Sequence, residues 1–319
     1  MPNLSRRDLL RNAATCSAHL ALISATRPVL LLERWARMQG PVVAREPFGT
    51  LEKVSEGVWA LVSTPLSGDR TTLSNGGIIA GRQGVLAIEG FNQPAGAQWL
   101  ATKAKELTGR WPTHVALTHY HSDHSNGIAG YRREGEAPRM FATDATRALV
   151  VERNRPADAS RSAALAEATV LDGAAETTLD LGGRSVRIVP LAGHTASDCA
   201  LEIDDPNVVF AGDLLWNGMF PNYVDAVPSR LARSVATLRR GNGTTWVPGH
   251  GPLARQADFA RYEAMLGEVE QAARAAHARG VSATEAGAAY TLPPALGEWT
   301  LFNKVFFERA FAAWYKELG

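Results

Sequence analysis

The sequence predicts a layered α/β domain. Short apolar, β-branched runs of strand length alternate with longer helical stretches, and several of the runs end in a polar residue flanked by glycine or serine. At 319 residues the chain is long enough to bury a large core, as one domain or as two.

Taken in order, strands are expected at Val54–Thr64, Leu73–Ala80 and Gly84–Glu89, separated by turns at Asn75-Gly76-Gly77 and Gly81–Gly84. Gln93-Pro94 opens a helix to about Thr108, with Trp99, Leu100 and Leu107 facing the core. Thr113–Thr118 is a buried strand. Arg139–Thr143 is a short strand, and Asp144 caps the helix after it. Residues 154–168 read as a surface helix or loop. Thr177–Leu191 forms a hairpin about Gly182-Gly183. Cys199–Ile203 and Val208–Ala211 are strands joined by a turn at Asp204–Asn207. A helix at Pro228–Arg240, a strand at Thr244–Val247 and a helical remainder from about Ala257 complete the chain.

Composition excludes some functions. Formal net charge is +1, which offers no electrostatic case for nucleic acid. No run of 18 or more apolar residues is present, so no membrane-spanning helix is expected.

The chemistry concentrates in His119-Tyr120-His121-Ser122-Asp123-His124, where three imidazoles and a carboxylate follow a strand. His119 and His121 are two apart, so an extended backbone points both the same way. Asp123 and His124 come as the chain turns and can face a second point, which suits two adjacent metal ions better than one. Three later strand ends share the design: Ala192-Gly193-His194-Thr195, Phe210-Ala211-Gly212-Asp213 and Pro248-Gly249-His250-Gly251-Pro252. Glycine beside each polar residue lets the backbone turn sharply and approach closely. Asp213 has a plainer reading too, as a helix N-cap before Leu214-Leu215-Trp216.

These motifs, in this order from about Val54 to Pro252, resemble the metallo-β-lactamase-fold hydrolase superfamily. The resemblance implies a four-layer αβ/βα sandwich, here with C-terminal helices. It implies a first metal on His119, His121 and His194, a second on Asp123, His124 and His250, and Asp213 bridging both. Such donors suit two Zn²⁺, and iron or manganese fit as well. Asp123 would be catalytic, orienting a metal-bridging hydroxide and carrying its proton. The implied reaction is hydrolysis of an ester, thioester, lactone or amide, a β-lactam included. Glu89 stands where many members carry Asp, and can accept from a histidine N–H behind the metal. Ser125-Asn126-Gly127 replaces the more usual Gly-Gly pair. Two alternatives use the same fold: a mono-iron oxidoreductase of the persulfide dioxygenase type, which needs fewer ligands, and a non-catalytic metal-binding protein.

Ser5-Arg6-Arg7-Asp8-Leu9-Leu10-Arg11 and the mildly apolar run after it resemble a bacterial twin-arginine export signal. Residues 1–40 are therefore read as signal and linker, with a periplasmic destination. Residues 41–319 are read as the catalytic domain, its helical extension starting near 257. Removing the signal takes Cys16 with it and leaves Cys199 alone, so no internal disulfide is expected.

The expected partner is a small-molecule substrate. The stretch Leu215–Asp225 reads as a loop rich in aromatics and amides. Trp216, Phe220 and Tyr223 either wall an apolar pocket or plug the core beneath. Asn217 or Asn222 can stabilise an oxyanion. Leu66-Ser67-Gly68-Asp69-Arg70 is a candidate second flap. On the last helix, Phe302, Val305, Phe306, Ala310, Ala313 and Trp314 form one apolar row, and Phe307, Phe311 and Tyr315 another. Burial on both sides is one reading; a dimer contact or an active-site lid is the other.

Overall fold

Strands that are apolar on both faces need cover on both sides. The computed structural model supplies it with two sheets face to face and helices outside each. It describes residues 41–134, 137–153 and 159–319, all within the compact unit Gly40–Gly319. The signal and linker expected at residues 1–40 lie outside the described residues.

The first sheet has eight strands in spatial order β1 (Val42–Glu46), β2 (Gly49–Ser55), β3 (Val58–Ser63), β4 (Gly76–Ala80), β5 (Val85–Ile88), β6 (His114–Ala116), β7 (Arg139–Thr143) and β8 (Thr169–Leu171). Strands β1 to β5 pair antiparallel, and β5 to β8 run parallel. The parallel crossovers hold α1 (Pro94–Thr108), the one-turn α2 (Ser122–Ser125), α3 (Asp144–Arg153) and α4 (Ala159–Ala166). The second sheet has β9 (Thr177–Asp180), β10 (Ser185–Pro190), β11 (Cys199–Ile203), β12 (Val208–Trp216) and β13 (Thr245–His250), in the order β13-β12-β11-β10-β9. Only β12 and β13 are parallel there, joined through α5 (Pro228–Thr237). The chain closes with α6 (Gln256–Ala278), α7 (Ala283–Ala289) and α8 (Val305–Leu318).

Side-chain alternation explains the layers. Val58, Ala60 and Val62 of β3 point between the sheets, against Ile188, Leu201 and Phe210 of the second sheet. Trp59 and Leu61 point the other way, into a core closed by Ala97, Leu100, Ala101 and Ala104 of α1. Beyond the second sheet, Trp216, Trp246, Phe259, Tyr262, Phe311 and Trp314 build a third core with α5, α6 and α8. Fully burying such a side chain stabilises the fold by about 1.5–3 kcal/mol.

Several expectations are corrected. The single strand expected at Val54–Thr64 is the end of β2 and all of β3, which turn at Glu56-Gly57; β1 and most of β2 lie upstream of it. Leu107 is 37% exposed, whereas Leu100 is fully buried. The cap of α3 is Thr143, whose Oγ1 accepts the Thr146 N–H at 3.0 Å, one residue before Asp144. In the segment read as surface, Arg161 of α4 is buried and donates to Ser125 Oγ at 3.1 Å beneath the histidine loop. Strand β12 runs through Trp216 rather than stopping at Ala211, and the C-terminal remainder is three helices interrupted at 279–282 and 290–304.

Candidate metal centre

All seven residues of the expected ligand set gather at one end of the sandwich, in two groups. His119 Nε2, His121 Nδ1, His194 Nε2 and Asp213 Oδ2 form the first. His121 Nδ1 lies 3.1 Å from His119 Nε2 and 3.0 Å from His194 Nε2, and Asp213 Oδ2 is 3.1 Å from His194 Nε2. The second group is Asp123 Oδ2, His124 Nε2 and His250 Nε2, with Asp123 Oδ2 at 3.3 Å from His250 Nε2 and 3.7 Å from His124 Nε2. Asp213 Oδ1 faces this group, 3.1 Å from His124 Nε2 and 3.4 Å from His250 Nε2. The two oxygens of Asp213 thus serve different groups.

These spacings test whether a metal fits. Tetrahedral bonds of about 2.0–2.1 Å place donor atoms roughly 3.4 Å apart. Within each group the donor atoms lie no more than 4.8 Å from one another. His124 Nε2 and Asp213 Oδ1 are buried with no hydrogen-bond partner, and both aim into the second group. Buried donors left unmatched are costly unless a ligand completes them. The donor set is compatible with divalent metal.

Hydrogen bonds behind three imidazoles set which nitrogen faces inward. Glu89 Oε1 takes the His124 Nδ1 proton at 3.0 Å. Thr118 Oγ1 takes that of His119 Nδ1 at 3.0 Å and passes its own hydroxyl proton to Glu89. Asp225 Oδ2 takes that of His121 Nε2 at 3.0 Å. With those protons held behind the rings, each opposite nitrogen would offer its lone pair to a metal in the donor group. Glu89 therefore stands behind a histidine, and its own backbone is left-handed at φ 78°.

Backbone geometry brings the strand ends this close. Gly212 has φ 50°, and a Cβ there would sit 2.6 Å from Thr118 Oγ1. At Gly249 a Cβ would lie 1.9 Å from Asp213 Oδ1. Asn75, read from the sequence only as part of a turn, ties the β13 end in place. Its Nδ2 donates to Pro248 O at 2.9 Å and Gly251 O at 2.7 Å.

Charge follows geometry. Burial would raise the Asp213 carboxyl, but His250, His124 and His194 hold it well below the usual range. Asp123 is likewise lowered, by His124 and His250 against its burial. Burial would lower His124, but Asp213 and Glu89 raise it well above the ordinary value. Burial would lower His250, but Asp213 and Asp123 together raise it to about 9. Burial and the nearby His124 push His119 well down. At Asp225, the His121 hydrogen bond outweighs burial and lowers the carboxyl.

The residues expected to bind substrate divide. Trp216 and Asn222 line a cleft of about 370 Å³ above the donor groups, and the Trp216 ring lies 4.0 Å from that of His250. Phe220 and Tyr223 are buried in the outer core and do not line this cleft. Asn217 is also buried, its Nδ2 donating to Pro252 O at 3.1 Å and Leu253 O at 3.2 Å, so it braces a loop instead of facing the cleft. The row expected on one helix is split: Phe302 lies before α8 and walls the cleft together with Phe306, whereas Ala310, Phe311 and Trp314 are core. Asp225, named in the loop but given no role, is the clearest omission. No sequence signal ties it to His121, because the contact spans 104 residues.

Known proteins resemble this chain in sequence and in fold. The metallo-beta-lactamase superfamily model matches residues 90–257. A hydroxyacylglutathione hydrolase of Acidiphilium cryptum is 30% identical over 224 residues, 70% of this chain and 82% of the relative. One from Rhodopseudomonas palustris is 26% identical over 213 residues, 66% of this chain and 74% of the relative. A human acyl-coenzyme A thioesterase is 28% identical over 154 residues, 43% of this chain and 53% of the relative. These relatives are hydrolases. Two solved structures share the fold: a metallo-beta-lactamase of Pontibacter korlensis (TM-score 0.56, 22% identity, 68% of this chain and 98% of that one) and a sec-alkylsulfatase of Pseudomonas sp. (TM-score 0.65, 16% identity, 84% and 50%). A sandwich with this donor set at its strand ends, matched by the family over more than half of its length, belongs to the metallo-beta-lactamase superfamily.

Proposed function

We propose that this protein is a two-metal hydrolase of carbonyl compounds, with thioesters the foremost class. The observation that carries the reading is Asp213, whose two oxygens face two separate donor groups. The names of the sequence relatives, a hydroxyacylglutathione hydrolase and an acyl-coenzyme A thioesterase, support a thioester substrate.

His119, His121, His194 and Asp213 would hold one ion; Asp123, His124, His250 and Asp213 the other. Zn²⁺ is the expected metal, and the same donors accept iron or manganese. A bound pair supplies Lewis acidity and brings the pKa of a water toward ~7, so hydrolysis proceeds at neutral pH without a strong base. The remaining work falls to the chain. The Asp123 carboxylate reaches the cleft floor and is kept ionised by His124 and His250, ready to orient the attacking water and take up its proton. Glu89, Thr118 and Asp225 keep three imidazoles in register. Trp216, Phe302 and Phe306 keep bulk water from the reacting carbonyl. We also propose that the Arg6-Arg7 segment directs export to the periplasm.

Metal analysis and a hydrolysis panel of thioesters, esters, lactones, lactams and phosphoesters test the reading, with a chelated control. Two equivalents of metal and chelator-sensitive thioester turnover are expected. His121→Ala should abolish turnover while circular dichroism stays that of the parent. One iron per chain with oxygen-dependent activity, or no turnover at any metal loading, overturns it.

A further inference from the structure

The cleft of about 370 Å³ lies near the lower end of small-molecule pockets. Its walls are of two kinds. On one side stand Trp216 at the end of β12, Phe302 before α8 and Phe306 in its first turn. The Phe302 ring lies 6.1 Å from those of Trp216 and His250 and 6.3 Å from that of Phe306, so the rings form a continuous apolar face beside the second donor group. Ring faces spaced this way accept another ring or a branched apolar group.

The other wall is the loop between β3 and β4, through Pro65, Arg70 and Leu73. Arg70 is the single lysine or arginine among the lining residues. Its carbonyl accepts from Asn92 Nδ2 at 2.6 Å, but its exposed guanidinium has no hydrogen bond or ion pair among the described residues. The adjacent Asp69 is occupied with the Thr71 N–H at 2.8 Å. The carboxylates on the floor, Asp123 and Asp213, already have histidine partners. Among the described residues, therefore, no carboxylate depends on Arg70 for a partner. A second donor lines the same cleft. Asn222 Oδ1 accepts from Arg309 Nη1 at 2.9 Å, which fixes the amide orientation and leaves its N–H pair without a partner among the described residues.

We infer that the substrate is a carbonyl compound with one aryl or branched apolar group and a single negative charge, the apolar group on the Trp216–Phe302–Phe306 face and the anion on Arg70. This rests on the hydrolase reading for the reaction, in which the water oxygen bonds to the acyl carbon, the acyl C–S or C–O bond breaks, and the water's protons end on the released thiol or alcohol and on the acid. The ligand class rests on the cleft alone. A guanidinium meets a carboxylate in a paired, charge-assisted geometry, so removing it costs an anionic ligand far more than a neutral one.

The probes are N-acetyl-phenylalaninate and its neutral amide, titrated calorimetrically into the chelated full-length protein. The anion is expected to bind about tenfold more tightly than the amide. Arg70→Gln should erase that difference, and Phe302→Ala should weaken both ligands by a similar factor. Equal binding of the two probes, or a preference that survives Arg70→Gln, overturns the inference. In parallel, the zinc-loaded protein is assayed on S-phenylacetyl mercaptoacetate, its methyl ester and an acyl glutathione. Preference for the first supports the inference. Equal turnover of the first two, or preference for the glutathione thioester, counts against it while leaving the hydrolase reading intact. Turnover of none of them and of nothing in the wider panel, with the binding pattern as expected, removes the hydrolase reading and keeps the ligand class.

Discussion

Asp225 Oδ2 lies 3.0 Å from His121 Nε2 and also accepts the Tyr120 hydroxyl, while Oδ1 is 3.5 Å from Arg153 Nη1. A carboxylate on the loop after β12 thereby dictates that His121 presents Nδ1, not Nε2, to the first donor group. The two sheets are joined at this point by a contact that determines ring orientation.

Asp225→Asn keeps the shape but loses the charge that draws the imidazole proton. Metal affinity at the first group should fall about 10–100-fold. Chelator competition on the zinc-loaded variant measures this, and an unchanged affinity would show that Asp225 merely fills space.

Gly249→Ala should be damaging despite its size. The added methyl would lie 1.9 Å from Asp213 Oδ1 and 2.8 Å from the Gly212 carbonyl carbon, so Asp213 must swing away from the second group. Overpacking of this kind costs about 1–3 kcal/mol. Metal content per chain is expected to drop from two toward one with at least a hundredfold loss of turnover; two full equivalents would contradict the assignment of Asp213 as the bridge.

The metal-free protein should lose stability as pH rises from 6.5 to 9. Burial would lower His250, but Asp213 and Asp123 together raise it to about 9, above its ordinary 6.5. A group with a raised folded pKa contributes stability that is fully present below 6.5 and lost through 9. His119, pushed down by burial and His124, has the opposite sign and penalises the fold only below 6.5. Thermal melts of chelated protein should therefore peak near neutral pH and decline toward 9. With metal bound, protons and metal compete for the same nitrogens, so that alkaline decline should vanish.

Arg6→Lys with Arg7→Lys should trap the precursor in the cytoplasm of a bacterial host. Fractionation and immunoblotting measure it, and normal periplasmic accumulation of the double variant would contradict twin-arginine export.

Much of this molecule was legible without coordinates, for reasons of chemistry. His119, His121, Asp123 and His124 fall within six residues, and few surface loops carry so many ligand-type side chains. Glycines beside His194, Asp213 and His250 announced close approach of the backbone. Alternation of apolar runs with a helix such as Pro94–Thr108 announced the layers.

The tertiary structure alone decided the rest. Trp216 and Phe220 are four residues apart, chemically alike and both part of the outer core, yet only Trp216 also lines the cleft. Asn217 and Asn222 divide the same way, one bracing a loop and one lining the cleft. Composition cannot separate such pairs, because which face they present depends on how far β12 runs and where α8 lands. Arg70, Asp225 and Phe302 reach the site from segments distant in sequence, with no local periodicity to mark them. Local pattern reports donor chemistry and strand or helix spacing, since both are written in neighbouring residues. Orientation and pairing across the sheets arise only when the layers close.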